Sequence, residues 1–432
     1  MELFVVPTNR RIDKCIQSLI MESNSISEDN LILIIDNSNI EIQKHNKRII
    51  EENKKFTHKV LWVNLVKQKE FIEILAKESS IDKAELLSLL YADHCDYGKI
   101  FNIIYLVAVA LGFDSFHRRD SDCYVSGEPE TYPVYMEMKY LNKKIIDTDI
   151  KAHCPPEYFP QDKIYAVGSD YTGNWNLDFH YLSRDNSDAL KYLYSLSNIP
   201  KEYQNEYIKT KYLRANEQFY ERPMFDYEEN FFQWAEMGNI SMVELFKIIP
   251  NFIGKYAIGF DYNVYNLTTP FRIPTVYHPN KIEHIHDEVR KEFDNIKPYW
   301  KGIFKMNDYN LIMNDFANIY NFDHSKSGFD QLKDGMKNRD IIKAFDTIIH
   351  ELSTDRRYDV MNTITEKILS NDTSSEYSKI RNFLKDNTKS IFDETFNEYI
   401  ASINLMKIWD KLIDICECSN RVKEFINEIS TV

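Results

Sequence analysis

The chain has 432 residues, with 53 Lys and Arg set against 67 Asp and Glu for a formal net charge of −14. That excess of negative charge repels phosphate backbones at long range and argues against general nucleic-acid binding. With 43% hydrophobic and 28% charged residues the composition is globular rather than disordered, and the length suits two domains better than one.

In chain order, Leu3 to Val6 is a short apolar run broken by Pro7-Thr8-Asn9, and a helical pattern follows through Ile12, Cys15, Ile16 and Leu19. Leu31 to Ile35 is continuously apolar and ends in Asp36-Asn37-Ser38-Asn39, the pattern of a buried parallel strand and its turn. A polar helix is expected over 40–54, a third strand over 60–66, and helices over 66–77 and 82–91. Lys99 to Leu111 is apolar on nearly every side, which predicts a buried helix, with Gly112 as its left-handed cap. The alternation of strand and helix up to Asp122 predicts an α/β fold, a mostly parallel sheet with helices on both faces.

From 130 to 280 the pattern is mixed, with strands expected at 132–140 and 163–167 and helices near 185–196 and 240–249. Beyond 281 strand candidates stop, and amphipathic stretches at 281–296, 339–351, 356–370 and 388–429 predict an all-helical C-terminal region. The expected domains are therefore 1–280, carrying the site, and a helical 281–432. The opening MELFVVPTNRR is charged too early for a signal peptide. No stretch reaches the roughly 18 to 20 apolar residues of a membrane span. The six cysteines are scattered, as suits a reducing cytoplasm.

Asp120-Ser121-Asp122 sets two carboxylates two residues apart at the expected exit of the fourth strand. A hard divalent cation takes such oxygen ligands and bridges them to phosphate, although a solvated acidic turn explains the same three residues. Pro7-Thr8-Asn9-Arg10 and Asp36-Asn37-Ser38 follow the first two strands, so three polar clusters would share the edge where open α/β sheets bind ligands. Turn chemistry and helix capping account for each cluster taken singly.

In these residues the chain resembles the GT-A glycosyltransferases. The resemblance rests on VVPTNRR at 5–11, IIDNSN at 34–39, and Gly98-Lys99-Ile100-Phe101-Asn102 leading through an apolar helix to Asp120-Ser121-Asp122. It covers about residues 2–125. The chain is also similar to an unassigned bacterial family of glycosyltransferase-like proteins that share P-T-N-R, H-R-R-D-S-D and a late histidine cluster. It departs from the GT-A pattern where the turn after the second strand lacks a paired Asp and a Gly, and where Arg118 and Arg119 precede the acidic motif. Those arginines suit either a diphosphate or nearby acids.

The resemblance implies a GT-A-like fold and transfer of a sugar from a nucleotide donor, a UDP-sugar by expectation, with Mn²⁺ or Mg²⁺ as cofactor. It places Pro7, Thr8, Asn9, Arg10, Asp36, Ser38, Lys99 and Asp120 at the donor, where guanidinium geometry adds Arg119, and Asp120, Asp122 and a late histidine at the metal. His278 is preferred from the run Tyr277-His278-Pro279-Asn280-Lys281-Ile282-Glu283-His284-Ile285-His286, for which a surface histidine run is the alternative. The segment Gly168 to Trp175 suits a sugar-approaching loop with Asp170, Tyr171, Gly173 and Trp175, or an ordinary turn with a packed Trp. Asp261 is the candidate general base, with Asp170 and Asp178 behind it.

Two other classes compete with glycosyl transfer. A sugar-nucleotide nucleotidyltransferase is one, although VVPTNRRIDK lacks the glycine-rich loop of that class. A non-catalytic scaffold acting through the helical region is the other. The acceptor is expected to be a peptide or small natural product, and the helical region to recognise it or to form a homodimer.

Overall fold

The computed structural model describes residues 1–53, 59–93, 95–173, 187–195, 201–213, 216–217, 220–226, 228, 235–285, 293–369 and 375–429. Strands β1 (Leu3–Thr8), β2 (Leu31–Asp36), β3 (Val60–Asn64) and β4 (Ser115–Arg119) run parallel in the order β3-β2-β1-β4. Their residues alternate between two apolar layers, as strand geometry requires. Leu3, Val5, Leu33 and Ile35 enter one core, while Phe4, Val6, Ile32 and Ile34 enter the other. Helices α1 (Asp13–Asn24), α2 (Ile40–Asn53), α3 (Leu65–Ser79), α4 (Lys83–Leu90) and α5 (Tyr97–Ala110) make the connections. Every residue of α5 except Tyr97 and Lys99 is buried, in keeping with its all-round apolar sequence.

The rest of the chain adds β5 (Cys123–Tyr124), β6 (Ala166–Gly168), β7 (Tyr171–Gly173), β8 (Met224–Phe225), β9 (Asn239–Val243), β10 (Thr275–Tyr277) and β11 (Ile282–His284). Among the described residues the main sheet has eight strands in the order β3-β2-β1-β4-β9-β6-β10-β8, with β9 and β8 antiparallel to their neighbours. A small second sheet, β5-β11-β7, stands beside it. The expected α/β class with a mostly parallel sheet and a helical C-terminal region is what the chain forms.

Three local expectations need correction. Residues 132–140 form not a strand but helix α6 (Pro133–Tyr140), started by Pro133 in its first turn and burying Pro133, Val134, Glu137 and Tyr140. That spacing is helical, and the aromatic residues had suggested a strand. The helix expected over 240–249 is instead divided between strand β9, up to Val243, and a short helix at Leu245–Ile248. The helix expected from 281 begins as strand β11, and helix resumes at Phe293–Ile319.

The C-terminal helices pack onto the sheet rather than away from it. Tyr309, Phe345, Tyr399 and Trp409 share one hydrophobic cluster with Phe246, Phe252 and Phe260, and Trp409 Nε1 donates to the Phe246 carbonyl at 3.0 Å. A second cluster joins Trp300, Ile303, Phe304 and Ile364 of the C-terminal helices to Leu193 and Tyr212. Buried Lys305 ties two of these helices together through Glu394 at 2.8 Å and Glu398 at 2.7 Å.

Candidate functional site

The order β3-β2-β1-β4 makes the chain leave β1 toward one side and return on the other. Between β1 and β4 the two exit loops therefore diverge and leave a crevice. A cavity of about 270 Å³ opens there, lined among others by Pro7, Thr8, Asn9, Arg10, Arg118, Asp120, Asp122, Tyr171, Asp261 and His284.

The loop after β1 is held by its own hydrogen bonds. Thr8 Oγ1 accepts from the Arg10 amide at 3.1 Å and donates to the Arg10 carbonyl at 2.9 Å. Asn46 Nδ2 donates to that carbonyl at 2.9 Å and to Asp36 Oδ2 at 3.0 Å. So fixed, Arg10 Nη1 donates to Asp122 Oδ2 at 2.6 Å. His284 Nε2 stands 3.4 Å from the same oxygen, its ring stacked on Tyr171 with centroids 4.9 Å apart. Burial alone would raise the Asp122 carboxyl, but Arg10 and then His284 outweigh it and hold the group well below the usual carboxylate range.

Asp120 is oriented separately. Arg118 Nε donates to Asp120 Oδ1 at 3.1 Å, Arg118 Nη2 to Asp261 Oδ2 at 2.8 Å, and the guanidinium lies 3.7 Å over the Phe101 ring. Burial pushes the Asp261 carboxyl up, against the pull of Arg118. Arg119, one residue on, faces the opposite side of the strand. There it pairs with Glu22 at 2.6 Å and with Glu137 at 2.9 Å, and His117 Nδ1 joins Glu137 at 2.7 Å. Alternation along β4 thus sends one arginine to the cavity and the other into a buried ionic cluster.

Several expected site residues lie away from the cavity lining. Asp36 is fully buried and accepts from the Ser38 amide, Asn46 and Trp62 Nε1. Ser38 is buried beside it. Lys99 Nζ donates to the carbonyls of Ser88 and Tyr91. The G-K-x-x-N segment docks α5: Asn102 and Asn251 exchange side-chain and backbone bonds at 3.0 and 2.8 Å, and a Cβ on Gly98 would stand 1.7 Å from the Phe252 carbonyl oxygen. His278 is fully buried with no hydrogen-bond partner for either ring nitrogen among the described residues. Burial drives its imidazole down to about 4, and it does not line the cavity, whereas His284 does. Asp170 is buried behind the lining, its carboxyl pushed up to about 6 by burial despite Lys211. Gly173 has φ +92°, and its backbone pairs with His284, so close that a Cβ would stand 2.6 Å from the His284 carbonyl oxygen. Trp175 and Asp178 lie outside the described residues.

The sequence reading missed Gly238, Lys211, Glu236 and a group of tyrosines. A Cβ on Gly238 would come within 2.2 Å of Tyr171 Oη and 2.7 Å of Asp120. This glycine lets β9 begin against the acidic loop, and in a chain with only 11 glycines such a position was a usable signal. Lys211 sits in a π-helical turn, Lys209–Leu213, ion-paired with Glu236, and both line the cavity. No periodicity in the sequence announces that pair.

Two carboxylates and an imidazole, Asp120, Asp122 and His284, thus share one end of the cavity. Among the described residues no group of three or more His, Cys, Asp or Glu is placed to hold a metal ion. A hard divalent cation used with phosphate takes one or two protein carboxylates and fills its shell from phosphate and water, a requirement that the Asp120 and Asp122 carboxylates fit.

A family model described as a family of unknown function (DUF6271) matches residues 3–424. No curated protein matches the chain. Among solved structures, the chain is similar to the mannosyltransferase PcManGT from Pyrobaculum calidifontis in complex with GDP-Man and Mn²⁺. The two are 9% identical, the match covers 95% of this chain and 87% of that one, and the TM-score is 0.36. Among the described residues no helix is long and apolar enough to cross a membrane.

Proposed function

The chain belongs to the DUF6271 family, whose function is unknown, so its activity has to be read from its own residues, and we propose that it is a glycosyltransferase using a nucleoside diphosphate sugar. The observation that carries this reading is the pairing of Asp122 with Arg10 and His284 at the crevice between β1 and β4, with Asp120 beside it. The motifs shared with GT-A glycosyltransferases support it, because VVPTNRR and Asp120-Ser121-Asp122 both reach this cavity.

Asp122 and Asp120 would hold Mn²⁺ or Mg²⁺, with His284 beside Asp122. When bound, the cation supplies the Lewis-acid charge that stabilises a departing diphosphate. Arg10, whose fork matches phosphate oxygens, binds the diphosphate from the β1 side. Arg118 fixes Asp120 and Asp261 in one geometry, so the acidic loop does not have to reorganise on binding. Asp261 is the base candidate nearest the donor end, and Tyr171 holds the Asp120 carboxylate from the other side at 3.4 Å. A UDP-sugar is the proposed donor, and the helices beyond Phe293 are proposed to serve the acceptor.

Incubation with UDP-, GDP- and TDP-sugars and Mn²⁺ tests the reading. It predicts slow, metal-dependent release of nucleoside diphosphate from one of them. Release of pyrophosphate from a nucleoside triphosphate and a sugar phosphate would instead assign a nucleotidyltransferase.

A further inference from the structure

The cavity has a second end whose chemistry differs from the first. It is lined by Tyr194, Tyr207, Tyr212, Tyr262, Tyr299 and Tyr309, with Leu193, Ile303 and Met306 among them. Tyr299, Ile303, Met306 and Asn310 fall at i, i+4, i+7 and i+11 of the helix Phe293–Ile319, so one face of a single C-terminal helix forms much of this wall. The only ion pair among the described lining residues at this end is Lys211–Glu236. Lys211 Nζ also donates to Tyr207 Oη at 2.6 Å, and Tyr262 Oη donates to Glu236 Oε2 at 2.8 Å.

Two independent features set that pair apart from packing. A buried ion pair is often no better for stability than apolar residues of the same volume, yet this one stands in a mostly apolar chamber. Lys211 also reaches the chamber from a π-helical turn, a rare geometry that recurs at functional sites. The chamber joins the acidic end without a break. Asp261 precedes Tyr262, and Tyr171 Oη links Asp120 to the Gly238 amide, which it accepts at 2.9 Å.

We propose that this chamber is the acceptor subsite, and that the acceptor is a small aromatic compound whose hydroxyl faces Lys211 and Glu236. The proposal rests on the glycosyltransferase reading for the word acceptor, and on the chamber alone for the ligand class. Apolar side chains and aromatic rings in this proportion reward burial of a flat apolar body. A carbohydrate would leave most of its hydroxyls facing carbon. In transfer, the acceptor oxygen bonds to the anomeric carbon as the bond to the diphosphate oxygen breaks, and the acceptor proton passes to the Glu236 carboxylate, which in this subsite takes the base role first assigned to Asp261.

Equilibrium binding of 4-methylumbelliferone, followed by its fluorescence without nucleotide or metal, tests the ligand class. The full chain is expected to bind it about tenfold or more tighter than 4-methylcoumarin, which lacks the hydroxyl, because a site with paired polar groups rejects an analogue that cannot meet them. Glu236→Gln should narrow that ratio, and Met306→Ala should weaken both ligands while the circular-dichroism spectrum stays that of the parent. Equal binding of the two probes, no binding of either, or preference for methyl glucoside would overturn the proposal. Since no nucleotide is present, umbelliferone binding with no donor turnover would refute only the glycosyltransferase reading.

Discussion

Arg10 Nη1 and Asp122 Oδ2 meet at 2.6 Å although 112 residues separate them in the chain. The contact exists because β1 and β4 are neighbours while their exit loops face one crevice. It presents a cationic fork and a carboxylate at the same point, which suits a diphosphate and its counter-ion. Arg10→Ala is therefore expected to weaken nucleotide binding about tenfold or more, consistent with loss of a charge-assisted hydrogen bond. Calorimetric titration with UDP and Mn²⁺ measures it, and an unchanged affinity would remove Arg10 from the donor end.

Arg119 should behave in the opposite way. Its guanidinium is buried between Glu22 and Glu137, so Arg119→Ala leaves two carboxylates without their cation, a loss on the order of 3–5 kcal/mol. Urea unfolding is expected to show that loss in the absence of any ligand. A variant as stable as the parent but defective in nucleotide binding would return Arg119 to the donor site.

Gly238→Ala probes the junction of β9 with the acidic loop. The added Cβ meets Tyr171 and Asp120 at less than contact distance, and overpacking of this kind costs about 1–3 kcal/mol. Reduced melting temperature together with weakened metal-dependent binding is expected, because the displaced groups are those that orient Asp120. Parent-like behaviour in both assays would show that the approach is not needed.

Burial pushes the Asp226 carboxyl up to about 7 from an ordinary 3.8, with Thr275 offsetting part of the shift. Between those values the native state binds more protons here than the unfolded chain does. This group therefore lowers stability as pH rises from about 4 to 7, by up to about 1.4 kcal/mol per pH unit. Asp226→Asn should remove that part of the slope in denaturant titrations run across the range. A slope unchanged by the substitution would mean that Asp226 is ionised in the native protein.

Three of the four parallel strands were legible because each is a short apolar run, as in Leu31 to Ile35, whereas β4, Ser115–Arg119, is mostly polar and was placed by its position after the buried helix and Gly112. The acidic loop was legible for the same reason, since its place at a strand exit follows from the strand. What could not be read was lateral. Arg118 and Arg119 differ only in which face of β4 they occupy, and nothing local says which face holds the cavity. His278 and His284 belong to one histidine run, yet β10 carries the first into the interior and β11 brings the second to Asp122. Lys211, Glu236 and Tyr299 meet from three distant segments, so no spacing in the sequence links them. Strands of two or three residues, such as β5 and β11, are too short to leave a period.

The central claim is that Asp122 holds a cation that joins the protein to a nucleotide. Thermal unfolding of the parent and of Asp122→Asn, each with UDP, with Mn²⁺ and with both, measures it most directly, because a ligand raises apparent stability only if it binds the native state. The parent should be stabilised by the pair far more than by either alone, and Asp122→Asn should lose that extra increment. An equal increment in both proteins would contradict the claim.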